Sequence, residues 1–95
     1  MRFNCPQVAN FLEKYGRVYT VRRHRYRVGG DVAKTEKGTF PIMVSEVGPL
    51  QTVDDLKPFL EFSGFKTLKE WVEEIYKLHR SDYFRNFYLY SVLRK

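Results

Sequence analysis

Apolar residues recur along the first fifteen positions at the spacing of a helix. Val8, Phe11, Leu12 and Tyr15 fall at i, i+3, i+4 and i+7, which stacks them on one face. Asn4 stands where its side chain can cap the first turn, Pro6 where a missing N–H is harmless, and Gly16 where a left-handed terminator belongs. The pattern predicts a helix over residues 6 to 15.

At Arg17 the period changes to two. Val18, Thr20 and Arg22 share one face, and Arg17, Tyr19, Val21 and Arg23 the other. Arg25 and Arg27 against Tyr26 and Val28 continue the alternation as far as Gly29-Gly30-Asp31. Residues 17 to 28 therefore read as one bent strand or a tight strand pair, with Gly29-Gly30-Asp31 turning the chain. Residues 32 to 38 read as a short strand or an exposed turn. From Thr39 to Val47 the chain carries Phe40, Ile42, Met43, Val44 and Val47, too continuous for a half-exposed strand and suited to the centre of a sheet or barrel. Gly48-Pro49 is expected to turn the chain after it. Leu50 to Val53 reads as a further strand piece, and Asp54 to Phe62 as a short helix about Pro58.

The clearest element lies over residues 66 to 80, where Leu68, Trp71, Val72, Ile75 and Leu78 form an apolar stripe. Lys69, Glu70, Glu73, Glu74 and Lys77 take the other face. Thr67-x-x-Glu70 is a capping box, Glu73 and Lys77 are spaced for an ion pair, and His79-Arg80 suit the negative end of a helix. Trp71 shares its face with aliphatics and reads as a core anchor. The end, Phe84 to Arg94, alternates Phe87, Leu89, Ser91 and Leu93 against Tyr88, Tyr90, Val92 and Arg94, a closing strand.

This order of helix, strands, short helix, capped helix and last strand makes one α+β domain over residues 1–95, with a small, mostly antiparallel barrel. A chain of 95 residues has no room for a second domain. No apolar run approaches the roughly 20 residues that cross a bilayer, and the opening Met1-Arg2-Phe3-Asn4-Cys5 lacks the apolar core of a secretory signal. A soluble, cytoplasmic protein without membrane contact is the expectation. The single Cys5 excludes an internal disulfide, and two histidines 55 positions apart make no metal-ligand cluster. Scarce Asn and Gln beside abundant Lys, Arg and Glu point to a thermophilic source.

Charge changes the picture more. The net charge of +6 resides wholly in residues 1 to 38, where nine Lys/Arg face three acidic residues, while residues 39 to 95 carry eight of each sign. Five of those cations, Arg17, Arg22, Arg23, Arg25 and Arg27, lie within eleven positions that contain no acid. Such asymmetry suits an anionic partner on one face, although a basic surface can also serve solubility alone.

Thr20-Val21-Arg22, then Gly30-Asp31-Val32, an apolar strand, Ser63-Gly64-Phe65-Lys66-Thr67-Leu68-Lys69-Glu70-Trp71 and a Tyr-rich last strand resemble the ASCH domain, a branch of the PUA-like β-barrels. The resemblance covers residues 16 to 93, and Gly64-Phe65 before a capped helix is its most characteristic part. It implies a five- or six-stranded barrel, a cleft between barrel and helices, and RNA binding. It also implies an alternative, because some small members hydrolyse N4-acetylcytidine-type nucleosides with a Lys-Thr-x-Thr-Ile-Arg strand and a glutamate before the late helix. Here Thr20-Val21-Arg22 matches Thr-Ile-Arg, but Arg17, Val18 and Tyr19 stand where the lysine and first threonine would fall, and the glutamate position lies nearest Ser63, two residues from Glu61. Arginine stays protonated where lysine can act as base or nucleophile.

The expected ligand is therefore RNA or a nucleotide-like molecule, with no cofactor, no metal and no catalytic residue assigned. Arg17, Arg22, Arg23, Arg25 and Arg27 would hold phosphates, Tyr19 or Tyr26 would stack a base, and Thr20 would lie near the cleft floor. The amidohydrolase alternative would use Thr20, Arg22 and Glu61. His24 reads as a surface hydrogen-bonding residue, and Cys5 as a small buried one.

Overall fold

The computed structural model describes residues 1–81, 83, 84 and 86–95. Helix α1 spans Pro6–Tyr15, with Pro6 in its first turn and Gly16 in the left-handed conformation (φ 77°) as terminator. The residue at the N-cap is Cys5 and not Asn4, and it caps without a side-chain bond. Strand β1 (Arg17–Arg22) follows directly, and β2 (Gly29–Thr35) and β3 (Gly38–Leu50) form a hairpin. A 3-10 helix over Val53–Phe62 comes next, then α2 (Leu68–His79) and β4 (Phe87–Arg94). Arg85, inside the strand expected over 84 to 94, lies outside the described residues.

All strand pairs are antiparallel, in the order β1-β4-β3-β2. The closing strand thus occupies the centre of the sheet, because its residues are apolar on both faces. Phe87 and Leu89 pack with Val21, Leu50, Leu56, Trp71 and Ile75 under the late helices. Tyr90 and Val92 pack on the opposite face with Leu12, Val18, Ile42 and Val44 under α1. Trp71 is the buried anchor its stripe indicates, while Leu78 at the stripe's end stays exposed.

Several sequence expectations are corrected here. The sheet has four strands and remains open: β1 and β2 are its two edges, and a single parallel bridge between Arg2 and Lys34 lies beside β2. The regular strand ends at Arg22, so residues 23 to 28 are a loop and neither strand nor hairpin. These six residues carry the chain from one sheet edge to the other. Three strand spacings amount to about 14 Å, within the roughly 20 Å that six extended residues reach. Gly29-Gly30-Asp31 begins β2 and does not turn the chain. Gly48-Pro49 likewise lies inside β3, where a bulge between Glu46 and Gly48 inserts Val47. One extra residue exchanges the faces. Ile42 and Val44 point toward α1, whereas Leu50, also even-numbered, points toward α2.

Two capped turns fix the late helices. The Asp55 carboxylate accepts the backbone N–H groups of Gln51 at 2.9 Å and Thr52 at 3.1 Å, bonds that pull its pKa below the ordinary carboxylate value. Thr67 Oγ1 accepts the Glu70 N–H at 3.1 Å, which is the N-cap half of the expected capping box. Replacing Thr67 with alanine is expected to cost about 1 kcal/mol in chemical denaturation, and an unchanged midpoint would show the cap to be idle. Glu73 reaches Lys69 at 4.0 Å, one turn back, in place of the expected Lys77. Gly64, with φ at 90°, brings the preceding turn against α1, where an added Cβ would lie 3.4 Å from Val8 Cα and Phe11 Cβ. Gln7 donates to the Gly64 carbonyl at 2.7 Å and ties this turn to α1.

Candidate nucleic-acid interface

The crossing loop is hung on Tyr26. Its backbone N–H donates to the hydroxyl of the buried Tyr90, its ring meets the Tyr90 ring edge-on at 6.2 Å, and its own hydroxyl donates to Asp31 Oδ2 at 2.6 Å. Asp31 also accepts the Met1 ammonium at 2.9 Å and the Val32 N–H at 2.7 Å. The Tyr26 bond, then the ammonium and the Val32 amide, hold the Asp31 carboxyl well below the usual range. Burial, followed by the Asp31 bond, pushes the Tyr26 phenol up.

With its one aromatic side chain turned inward, the loop leaves Arg23, His24, Arg25 and Arg27 exposed. Arg22, Arg23, His24, Arg25 and Tyr26 line one side of an open basin of about 400 Å³, and Leu78, His79 and Arg80 line the other. Four guanidinium groups and two imidazoles meet there, and none of these described lining residues is acidic. Arg80 reaches the basin because it ends α2 in the left-handed conformation, at φ 51°. Arg25 is partly engaged, with Glu46 at 3.4 Å and the Tyr88 ring at 5.4 Å.

Below the basin, and sharing Arg22, Leu78 and His79 with it, is a narrower cleft of about 130 Å³. Arg2, Phe3, Asn4 and Cys5 form one wall, and Thr20 on β1 lies in the floor. The cleft thus lies between the N-terminal segment and the end of α2, away from the 54 to 66 segment. Arg22 Nη2 donates to the Arg2 carbonyl at 3.0 Å, and its guanidinium lies 5.4 Å from the Phe3 ring centre. Burial lowers the Arg22 pKa, against the opposing pull of Tyr26 and Tyr90. Burial also lowers the His79 pKa; the Val21 backbone opposes it, and Arg22, Arg23 and His24 add to it. Burial raises the Cys5 thiol, and the Glu74 carboxylate adds to the rise.

The eight candidate binding residues are thereby divided. Arg22, Arg23, Arg25 and Tyr26 converge on the basin, and Thr20, only 9% exposed, on the cleft. Arg27 is exposed beyond Tyr26 and lines neither. Arg17 and Tyr19 lie on the other face of β1. Arg17 covers the Phe62 ring at 4.1 Å and donates to the Tyr19 hydroxyl at 3.1 Å, while Tyr19 packs edge-on against Phe59 at 4.9 Å. Both side chains are thus engaged in packing the 3-10 helix onto the sheet. Glu61 is exposed on that helix and lines neither basin nor cleft, and Ser63 is buried with its hydroxyl bonded to the Leu60 carbonyl at 2.7 Å. Glu74, and not Glu61, shares a lining with Thr20, in an adjoining narrow cleft. Sequence reasoning missed His79 and Arg80 as site residues; their only signal was a basic pair at a helix end.

No family model, curated protein or solved structure matches the chain.

Proposed function

We propose that the chain is a small nucleic-acid-binding module, for RNA before DNA, of the ASCH and PUA-like kind that its motifs resemble. The observation that carries the reading is the convergence of Arg22, Arg23, Arg25 and Arg80 on one basin lined by no acidic residue among those described. Guanidinium groups fixed along a groove are suited to successive phosphates, because each is always charged and offers several donors. Turnover of an acetylated nucleoside is the weaker reading. Arg17, at the lysine position, is cationic and on the opposite face of β1 from Thr20.

Binding of a labelled single-stranded RNA should weaken as salt rises, with a slope of about 0.7 per phosphate contacted. Arg23→Gln and Arg80→Gln should each reduce that slope by about 0.7. Affinity that hardly changes from low to moderate salt would overturn the proposal.

A further inference from the structure

Among the described residues, two buried side-chain nitrogens have no hydrogen-bond partner, Arg22 Nε and His79 Nε2. Both side chains line the cleft beneath the basin. Buried polar groups are nearly always satisfied, so two exceptions beside one small cleft, each sealed from solvent, point to a group that meets them once the Arg22 and His79 side chains turn toward it.

We propose that this cleft takes a phosphate monoester, from the end of a nucleic-acid strand or from a mononucleotide, on Arg22 and His79. The inference rests on the reading of the basin as a nucleic-acid surface and names what its floor recognises. Phosphate oxygens are acceptors only, and the Arg22 guanidinium supplies donors whatever the pH. On the His79 ring, Nε2 is the nitrogen buried without a partner. The imidazolium donates from both ring nitrogens and adds a positive charge, so a bound anion favours the protonated form over the neutral one. Binding therefore brings a proton from solvent onto His79.

A guanidinium and an imidazolium match the double charge of a monoester better than the single charge of an internal diester. Buried Phe3, Cys5 and Val8 are part of the cleft's lining, and a space of about 130 Å³ suits an end group better than a continuing strand. The ionisable groups around His79 come from every neighbouring element. Arg22 on β1 and Arg23 and His24 in the loop favour the anion, as do Arg2 in the N-terminal segment and Arg80 at the helix end. Cys5 contributes a thiol held neutral by burial, and Glu74 on α2 supplies a carboxylate across the adjoining cleft.

The test compares one single-stranded RNA in three forms, with a 5′-phosphate, with a 3′-phosphate, and with hydroxyls at both ends. One phosphorylated form should bind roughly tenfold tighter than the hydroxyl form near pH 6 and lose most of that advantage near pH 8. The hydroxyl form accounts for His24 and for the basin. His79→Gln should remove the pH dependence of the advantage, and Arg22→Lys, which keeps the charge but not the Nε donor, should reduce the advantage itself. Three forms that bind alike, with the salt dependence intact, would overturn the cleft assignment and leave the basin reading standing. If no RNA binds, the basin reading falls, and calorimetry with a nucleoside monophosphate and with inorganic phosphate decides the cleft. Binding that His79→Gln abolishes would sustain it, and absence of binding would overturn it.

Discussion

Asp31→Asn is expected to lower folding stability by about 3 kcal/mol at neutral pH, the penalty of breaking a partly buried ion pair. The carboxylate gathers the Met1 ammonium, the Tyr26 hydroxyl and the Val32 amide onto two oxygens. An asparagine side chain leaves the ammonium, whose own side chain is fully buried, without a counter-charge. The pH dependence has a definite sign. Because Asp31 is held below its ordinary value in the folded state, its contribution is complete above about pH 4 and fades as pH falls below that value. Tyr26 acts in the opposite range, since its raised value favours the folded state until pH climbs past about 10. Chemical denaturation at neutral pH should separate wild type from Asp31→Asn, and the gap should narrow in strong acid. A gap that persists unchanged in acid would show that the loss is one of packing and not of charge.

The second large effect concerns binding. Neutralising Arg23, Arg25 and Arg80 together, each to glutamine, is expected to weaken RNA affinity roughly 100-fold at moderate salt, at about 0.9 kcal/mol for each lost phosphate contact. These side chains are exposed, so folding should hardly change. Arg17→Gln offers a contrast, because Arg17 packs over Phe62 and Tyr19 on the other face. It should reduce stability and leave RNA affinity near wild type. Loss of affinity in Arg17→Gln with none in the triple variant would move the interface to the wrong side of the sheet.

The helices were legible because their signals are local. Leu68, Trp71, Val72 and Ile75 with the Thr67 cap define α2 from a window of a dozen residues, and the extent of α1 needed only its stripe, Pro6 and Gly16. The alternation of β1 correctly separated Thr20 and Arg22 from Tyr19 and Val21. What failed was the continuation past Arg22. Arg23 to Val28 alternates as a strand does, but in an exposed loop the alternation reflects the single inward anchor, Tyr26, and not a sheet face. Strand order was hidden for a related reason: nothing near residue 22 says that β4, over sixty residues later, will pair with β1 and send the chain across to the opposite edge. The same non-local pairing carries β3 through Gly48-Pro49, since its bulge is defined only against Tyr90 and Leu89.

The candidate site was legible in its first half alone. The arginines of the loop announced a basic face, yet the basin exists because α2 delivers His79 and Arg80 opposite them. A helix end looks the same in sequence whether it meets solvent or a ligand. Tyr19 illustrates the converse, as an aromatic among arginines that the fold spends on Phe59.

The most direct test is an amide chemical-shift titration of the folded chain with single-stranded RNA. The account predicts that shifts concentrate at residues 22 to 26 and 78 to 80, with little change at Met43 and Leu93 on the uncovered part of the sheet. Shifts centred on Met43 and Leu93, or none at 22 to 26, would contradict it.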